Sequence, residues 1–117
     1  MRSFVEMRMI VYLLILKITP NLDGYKYLKE AVIRVCEDIT KKYNMTKILF
    51  KEISDKEGKN VFVVDRALRH ALKRSYDQEG ILALERKMDF DFASPKPSAK
   101  EVICALAEKL SMEFAQI

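Results

Sequence analysis

Apolar residues recur at helical spacing along most of this chain. Tyr25, Leu28, Val32, Val35, Cys36 and Ile39 share one face of a first helix, with Lys26, Lys29, Glu30, Arg34 and Glu37 opposite. Asn44 suits a left-handed position at its C-terminal end, and Thr46 can cap the next helix. A second helix is predicted from about Lys47 to Glu57 on Ile48, Leu49, Phe50 and Ile53, and Gly58 suits the residue just past its end. Asn60 is placed to cap a long third helix running to about Tyr76. Its buried face is Val61, Val64, Leu68, Ala71 and Leu72, and Gln78-Glu79-Gly80 closes it. A short helix over Ile81 to Met88 and an extended loop over Asp89 to Pro97 come after it. Ser98-Ala99-Lys100-Glu101 then reads as a capping box opening a last helix, with Val102, Ile103, Leu106, Leu110 and Phe114 inward. The expected fold is an all-α bundle. It comprises an apolar N-terminal arm over residues 1–20 and a helix-turn-helix domain over residues 21–117.

The arm departs from this rhythm. Met9 to Leu16 (MIVYLLIL) is an unbroken apolar run between Arg8 and Lys17, far below the ~20 residues that span a bilayer. It resembles a short signal core, yet no A-x-A-like cleavage site comes after it. The favoured reading is a strand or helix buried against the domain, or a dimer contact; membrane association or a signal sequence is the alternative. Thr19 to Gly24 is turn chemistry separating this arm from the domain.

Composition narrows the class. The chain has 117 residues, enough for one domain around one core, and its 3 Gly and 3 Pro agree with helices. Cys36 and Cys104 fall on apolar positions and read as small core hydrophobes in a reducing cytoplasm rather than as a disulfide. No CxxC or Cys/His cluster is available for zinc. Asp89 and Asp91 in MDFDF lack further metal ligands, and Phe90 and Phe92 are expected to anchor that loop. His70 is the only histidine, with no nucleophile arrangement around it. Neither catalysis nor a cofactor or metal is expected.

Charge is what changes the picture. Lys59 to Arg74 holds five basic residues (Lys59, Arg66, Arg69, Lys73, Arg74) against Asp65, and so carries the whole net charge of +4. Arg66, Arg69, His70 and Lys73 occupy the polar face of the third helix, with Phe62 and Asp65 near its start. A helix, a turn containing Gly58 and a longer basic helix form a helix-turn-helix pattern. Arginine suits guanine O6/N7 in the major groove and Asp65 can accept from cytosine N4, while Lys47, Lys51 and Lys59 flank the motif where phosphates pass. A cationic stripe is equally the solvated face of a surface helix, and periodicity alone leaves both readings open.

Tyr25 to Ala31 (YKYLKEA), Asp65 to Ala71 (DRALRHA) and Lys96 to Ile103 (KPSAKEVI) together resemble the C-terminal effector domain of stage 0 sporulation protein A, the response regulator of endospore formation. The resemblance covers roughly Asp23 to Phe114, with slight shortening around Asp89 to Ala93. It implies a six-helix, DNA-binding transcription regulator that binds short promoter boxes as a dimer or tandem pair and contacts an RNA polymerase sigma factor. Carried over by position, Asp65, Arg66, Arg69 and His70 face the bases. Lys47, Lys51, Lys59, Asn60, Lys73 and Arg74 are then expected on the DNA backbone.

Three departures matter. The family usually has Glu where Asp65 stands. It also has a guanine-reading Arg at the position of Val63 and Ser at Phe62, so NVFVV is apolar where the family is polar. Loss of such an arginine contact removes about 1–3 kcal/mol of discrimination. The target sequence is then changed, with Phe62 or Val63 against a thymine methyl, or specific binding is lost. In the second case the domain is a protein-interaction module directed at sigma factor or the full-length regulator. The third departure is the receiver domain of the usual architecture, which this sequence does not carry. Activation by a phosphorelay is therefore not expected, and a DNA-binding form should be constitutively competent.

Overall fold

The computed structural model describes residues 1–117 and is built from six α-helices: α1 (Arg2–Ile15), α2 (Asp23–Glu37), α3 (Phe50–Glu57), α4 (Val61–Asp77), α5 (Gly80–Met88) and α6 (Ala99–Ala115). No strand is present. The all-α bundle expected from periodicity is the observed fold, and the N-terminal run is a helix.

The central element is α2, which α1, α4 and α6 surround. Three neighbours leave it little free surface, so Tyr27, Leu28, Ala31, Val32, Ile33 and Val35 are all buried. They join Met9, Tyr12 and Leu13 of α1, Leu68 and Leu72 of α4 and Val102, Ile103 and Leu106 of α6 in one continuous core. Glu30 ties three helices together at one edge of this core. Both its oxygens accept from Nη2 of Arg2 on α1 at 2.8 Å, and Oε1 also accepts from Arg34 at 2.8 Å, with Lys56 of α3 at 3.7 Å. Burial alone would raise its pKa, but the guanidinium hydrogen bonds outweigh it and hold the carboxyl below its ordinary value.

A second clip joins α1 to α6. Arg8 donates to Glu113 at 2.8 Å, and the Tyr12 hydroxyl donates to the same carboxylate at 2.5 Å. Burial, followed by the Glu113 carboxylate, pushes the Tyr12 phenol up to about 12, so it stays a donor. Burial would push Glu113 up as well, yet the bonds from Tyr12 and Arg8 bring it below its ordinary value.

Between α2 and α3 the chain departs from the predicted helix. Asp38 is extended (φ −147°), and its carboxylate accepts from the Thr40 amide at 3.0 Å. That side chain competes with helix continuation, as a short carboxylate does at a cap, and the chain passes into a 3₁₀ segment, Ile39–Asn44. Asn44 is not left-handed (φ −147°, ψ 62°), and Thr46 caps nothing. Instead Met45–Leu49 forms a π turn in which the Phe50 amide donates to the Met45 carbonyl. The wider turn places Met45, Leu49 and Phe50 together in the core and turns Ile48 outward, so α3 starts three residues later than the apolar pattern suggests. Ile39 and Phe114, expected inward, are exposed; Phe114 lies against Phe4 with ring centroids 5.6 Å apart.

Candidate nucleic-acid interface

Local chemistry sets the turn between α3 and α4. Gly58 adopts φ 66°, ψ 32°, where a side chain would be strained. The Lys59 amide donates to the Ser54 carbonyl at 2.9 Å and the Gly58 amide to Asp55 at 3.4 Å, the paired bonds that close a helix end. Asn60 then caps α4, its Oδ1 accepting from the Val63 amide at 3.0 Å. Asn60 thus spends its carbonyl oxygen on the cap and has only its amide nitrogen left to donate.

Packing fixes how α4 sits. Val64, Leu68, Ala71 and Leu72 are buried, and the start of α2 approaches at Gly24. A Cβ on Gly24 would stand 2.5 Å from the Ala67 carbonyl oxygen and 2.6 Å from the Ala71 Cβ. Only glycine allows this approach, which holds the outer face of α4 at a set height above the bundle.

That outer face carries Phe62, Arg66, Arg69 and Lys73, spaced i, i+4, i+7 and i+11, all exposed. Phe62 is 77% exposed, an unusual position for a large aromatic at the head of a cationic stripe. Asp65 pairs with Arg69 one turn on, Oδ2 to Nε at 3.1 Å, so the carboxylate orients that guanidinium. Lys73 pairs with Asp77 at 2.9 Å and Lys51 with Asp55 at 2.7 Å, both on the surface. Such exposed pairs contribute about 0–1 kcal/mol and yield readily to a phosphate. Lys47 and Lys59 are exposed, on the π turn and the helix-turn-helix turn respectively. Arg74 differs from the others: it is half-buried, and its Nε is enclosed without a hydrogen-bond partner.

The stripe is flanked by two grooves. On one side Arg66, His70 and Val63 face Asn21, Leu22 and Asp23 at the start of α2 across a space of about 430 Å³. On the other, Asp65, Arg69, Lys73 and Tyr76 face Lys96, Ser98 and Lys100 across about 540 Å³. The Tyr76 hydroxyl donates to the Pro97 carbonyl and pins the loop before α6 against α4. Lys96 and Lys100 thereby join the cationic surface, although more than twenty residues separate them from Lys73. The sequence carries them within KPSAKEVI, but nothing local to that segment says that it returns to the basic helix.

The family model described as "Sporulation initiation factor Spo0A C terminal" matches residues 10–110 of the 117. The chain belongs to this family, which consists of DNA-binding regulatory effector domains rather than enzymes.

Proposed function

From that membership, we propose that the domain is a cytoplasmic transcription regulator that binds duplex DNA sequence-specifically, with α4 in the major groove. The observation that carries this reading is the exposed stripe Phe62, Arg66, Arg69 and Lys73 on the second helix of a helix-turn-helix. Arg66 and Arg69 supply bidentate donors for guanine. Asp65 holds Arg69 in position and can accept from cytosine N4, and His70 reaches the neighbouring base or phosphate. Phe62, in the first turn, takes the place of a polar reader and meets a thymine methyl, an apolar contact suited to an aromatic side chain. Lys47, Lys51, Lys59, Lys73 and the Asn60 amide line the backbone, with Arg74 reaching it by its terminal nitrogens. Lys96 and Lys100 extend the track along the second groove.

Two substitutions separate base reading from backbone anchoring. On a bound duplex, Arg69→Ala should relax preference at one position by about 1–3 kcal/mol, whereas Lys73→Ala should weaken all sequences alike. An Arg69→Ala variant with unaltered preference would show that α4 does not read bases.

A second reading rests on Phe62 itself. An exposed aromatic among cations also suits a protein groove, so the same face can dock on a sigma factor or on a full-length regulator of this family. Replacing thymine by uracil in the bound duplex removes only the methyl group. Loss of affinity with the native chain, absent in Phe62→Ala, favours DNA; an unchanged affinity favours the protein partner for this residue.

A further inference from the structure

The outer face of α1 is apolar as well as the inner one. Met7 (70% exposed), Ile10 (53%), Val11 (38%) and Leu14 (74%) stand on its solvent side, while Val5, Met9, Tyr12 and Leu13 fill the core. Four such side chains form a patch in the range of roughly 300–600 Å² that marks the largest apolar patch on a typical monomer. We infer that this face pairs with the same face of a second copy of the chain, as an antiparallel α1–α1 contact about a two-fold axis.

Three observations identify a second copy as the occupant. First, the exposed set is symmetric about a point between Ile10 and Val11. An antiparallel copy centred there sets Met7 against Leu14 and Ile10 against Val11, so every apolar side chain meets another. A two-fold contact requires this self-complementarity. Second, the charges fit that orientation. Glu6, paired with Arg2 of its own helix at 3.5 Å, lies just before the stripe and Lys17 just after it, both exposed. Antiparallel pairing brings Lys17 within two residues of the position opposite Glu6, while parallel pairing stacks like charges. Third, a cavity of about 330 Å³ opens at the Leu14 end, lined by the apolar Ile10, Leu14 and Tyr25 and by the polar Lys17, Thr19 and Gln78. The second copy's Met7 arrives there with a flexible thioether side chain that fills irregular apolar space.

Two such patches bury on the order of 1,000 Å² in total, at the lower end for a specific interface, so the dimer forms reversibly with concentration. A lipid surface is the poorer occupant. An interfacial helix needs a cationic polar face opposite its apolar one, and here the opposite face is buried in the core.

The contact is independent of the DNA-binding reading and is tested without DNA. Sedimentation of the full chain across a concentration series should show the mass rising from one copy toward two. Leu14→Glu, on the solvent side and with folding checked by circular dichroism, should weaken association at least about tenfold, the effect of ~1.4 kcal/mol. Glu6→Lys and Lys17→Glu should each weaken it, and the double substitution should restore it. A chain that stays monomeric at every concentration overturns the inference. So does a dimer indifferent to Leu14→Glu, or a double substitution as weak as its singles combined.

Discussion

The outer faces of α1 and α4 present the same architecture with opposite chemistry. Each helix buries one face in the shared core and leaves the other in solvent, yet α1 exposes Met7, Ile10, Val11 and Leu14 while α4 exposes Phe62, Arg66, Arg69 and Lys73. The inner faces explain the fold. The outer faces contribute little to it, which leaves them free to serve partners, and their chemistry separates the partners by class. A uniformly apolar stripe suits another protein surface. A cationic stripe headed by a single aromatic suits a polyanion with methyl groups in its groove.

Salt breaks this comparison most strongly. With about six phosphate contacts, DNA affinity should fall roughly a thousand-fold between about 50 and 200 mM salt, whereas the α1 self-contact should change little. Fluorescence anisotropy and sedimentation in the same buffers make the measurement, and parallel salt responses would erase the distinction. Next in size is Gly24→Ala. The added methyl meets the Ala67 carbonyl and Ala71, and should cost about 1–3 kcal/mol of stability on chemical denaturation while lowering DNA affinity through the displaced α4. Association through α1 should survive it.

Acid gives a smaller effect, felt where carboxylates clip helices together, as Glu113 does for α1 and α6 and Glu30 for α1, α2 and α3. The Glu113 pKa is lowered in the fold, so its bonds with Arg8 and Tyr12 stabilise the docking of α1 above the usual glutamate value of about 4.3. That contribution is lost as pH falls through the depressed value. Glu113→Gln should remove about 1 kcal/mol at neutral pH and flatten this part of the acid limb of a stability profile. Smallest of all, Phe62→Ala should leave stability within about 0.5 kcal/mol of the parent, because the side chain stands largely in solvent. A larger loss in thermal melts would place Phe62 in the fold rather than in recognition.

Local signals carried most of this architecture in the sequence. The Ser98–Glu101 capping box, the left-handed Gly58 and the Asn60 cap are each set by a few adjacent residues, and all three form as the sequence indicates. The π turn at Met45–Leu49 was hidden, because apolar spacing cannot tell a widened turn from an early helix start. The stripe on α4 was legible from its period. Its second flank was not, since Lys96 and Lys100 reach Arg69 and Lys73 only through the Tyr76–Pro97 bond between distant segments. The apolar run in α1 showed as a feature, but which of its residues face solvent depends on how it packs against α2 and α6.

The most direct test of α4 as a reader of DNA is selection of bound duplexes from a random pool, run in parallel with the native chain and with Arg69→Ala. A single enriched motif should emerge for the native chain, with a guanine position that loses its preference in the variant. Recovery of unenriched sequence with the native chain, or of the same motif with both, would contradict base reading by α4.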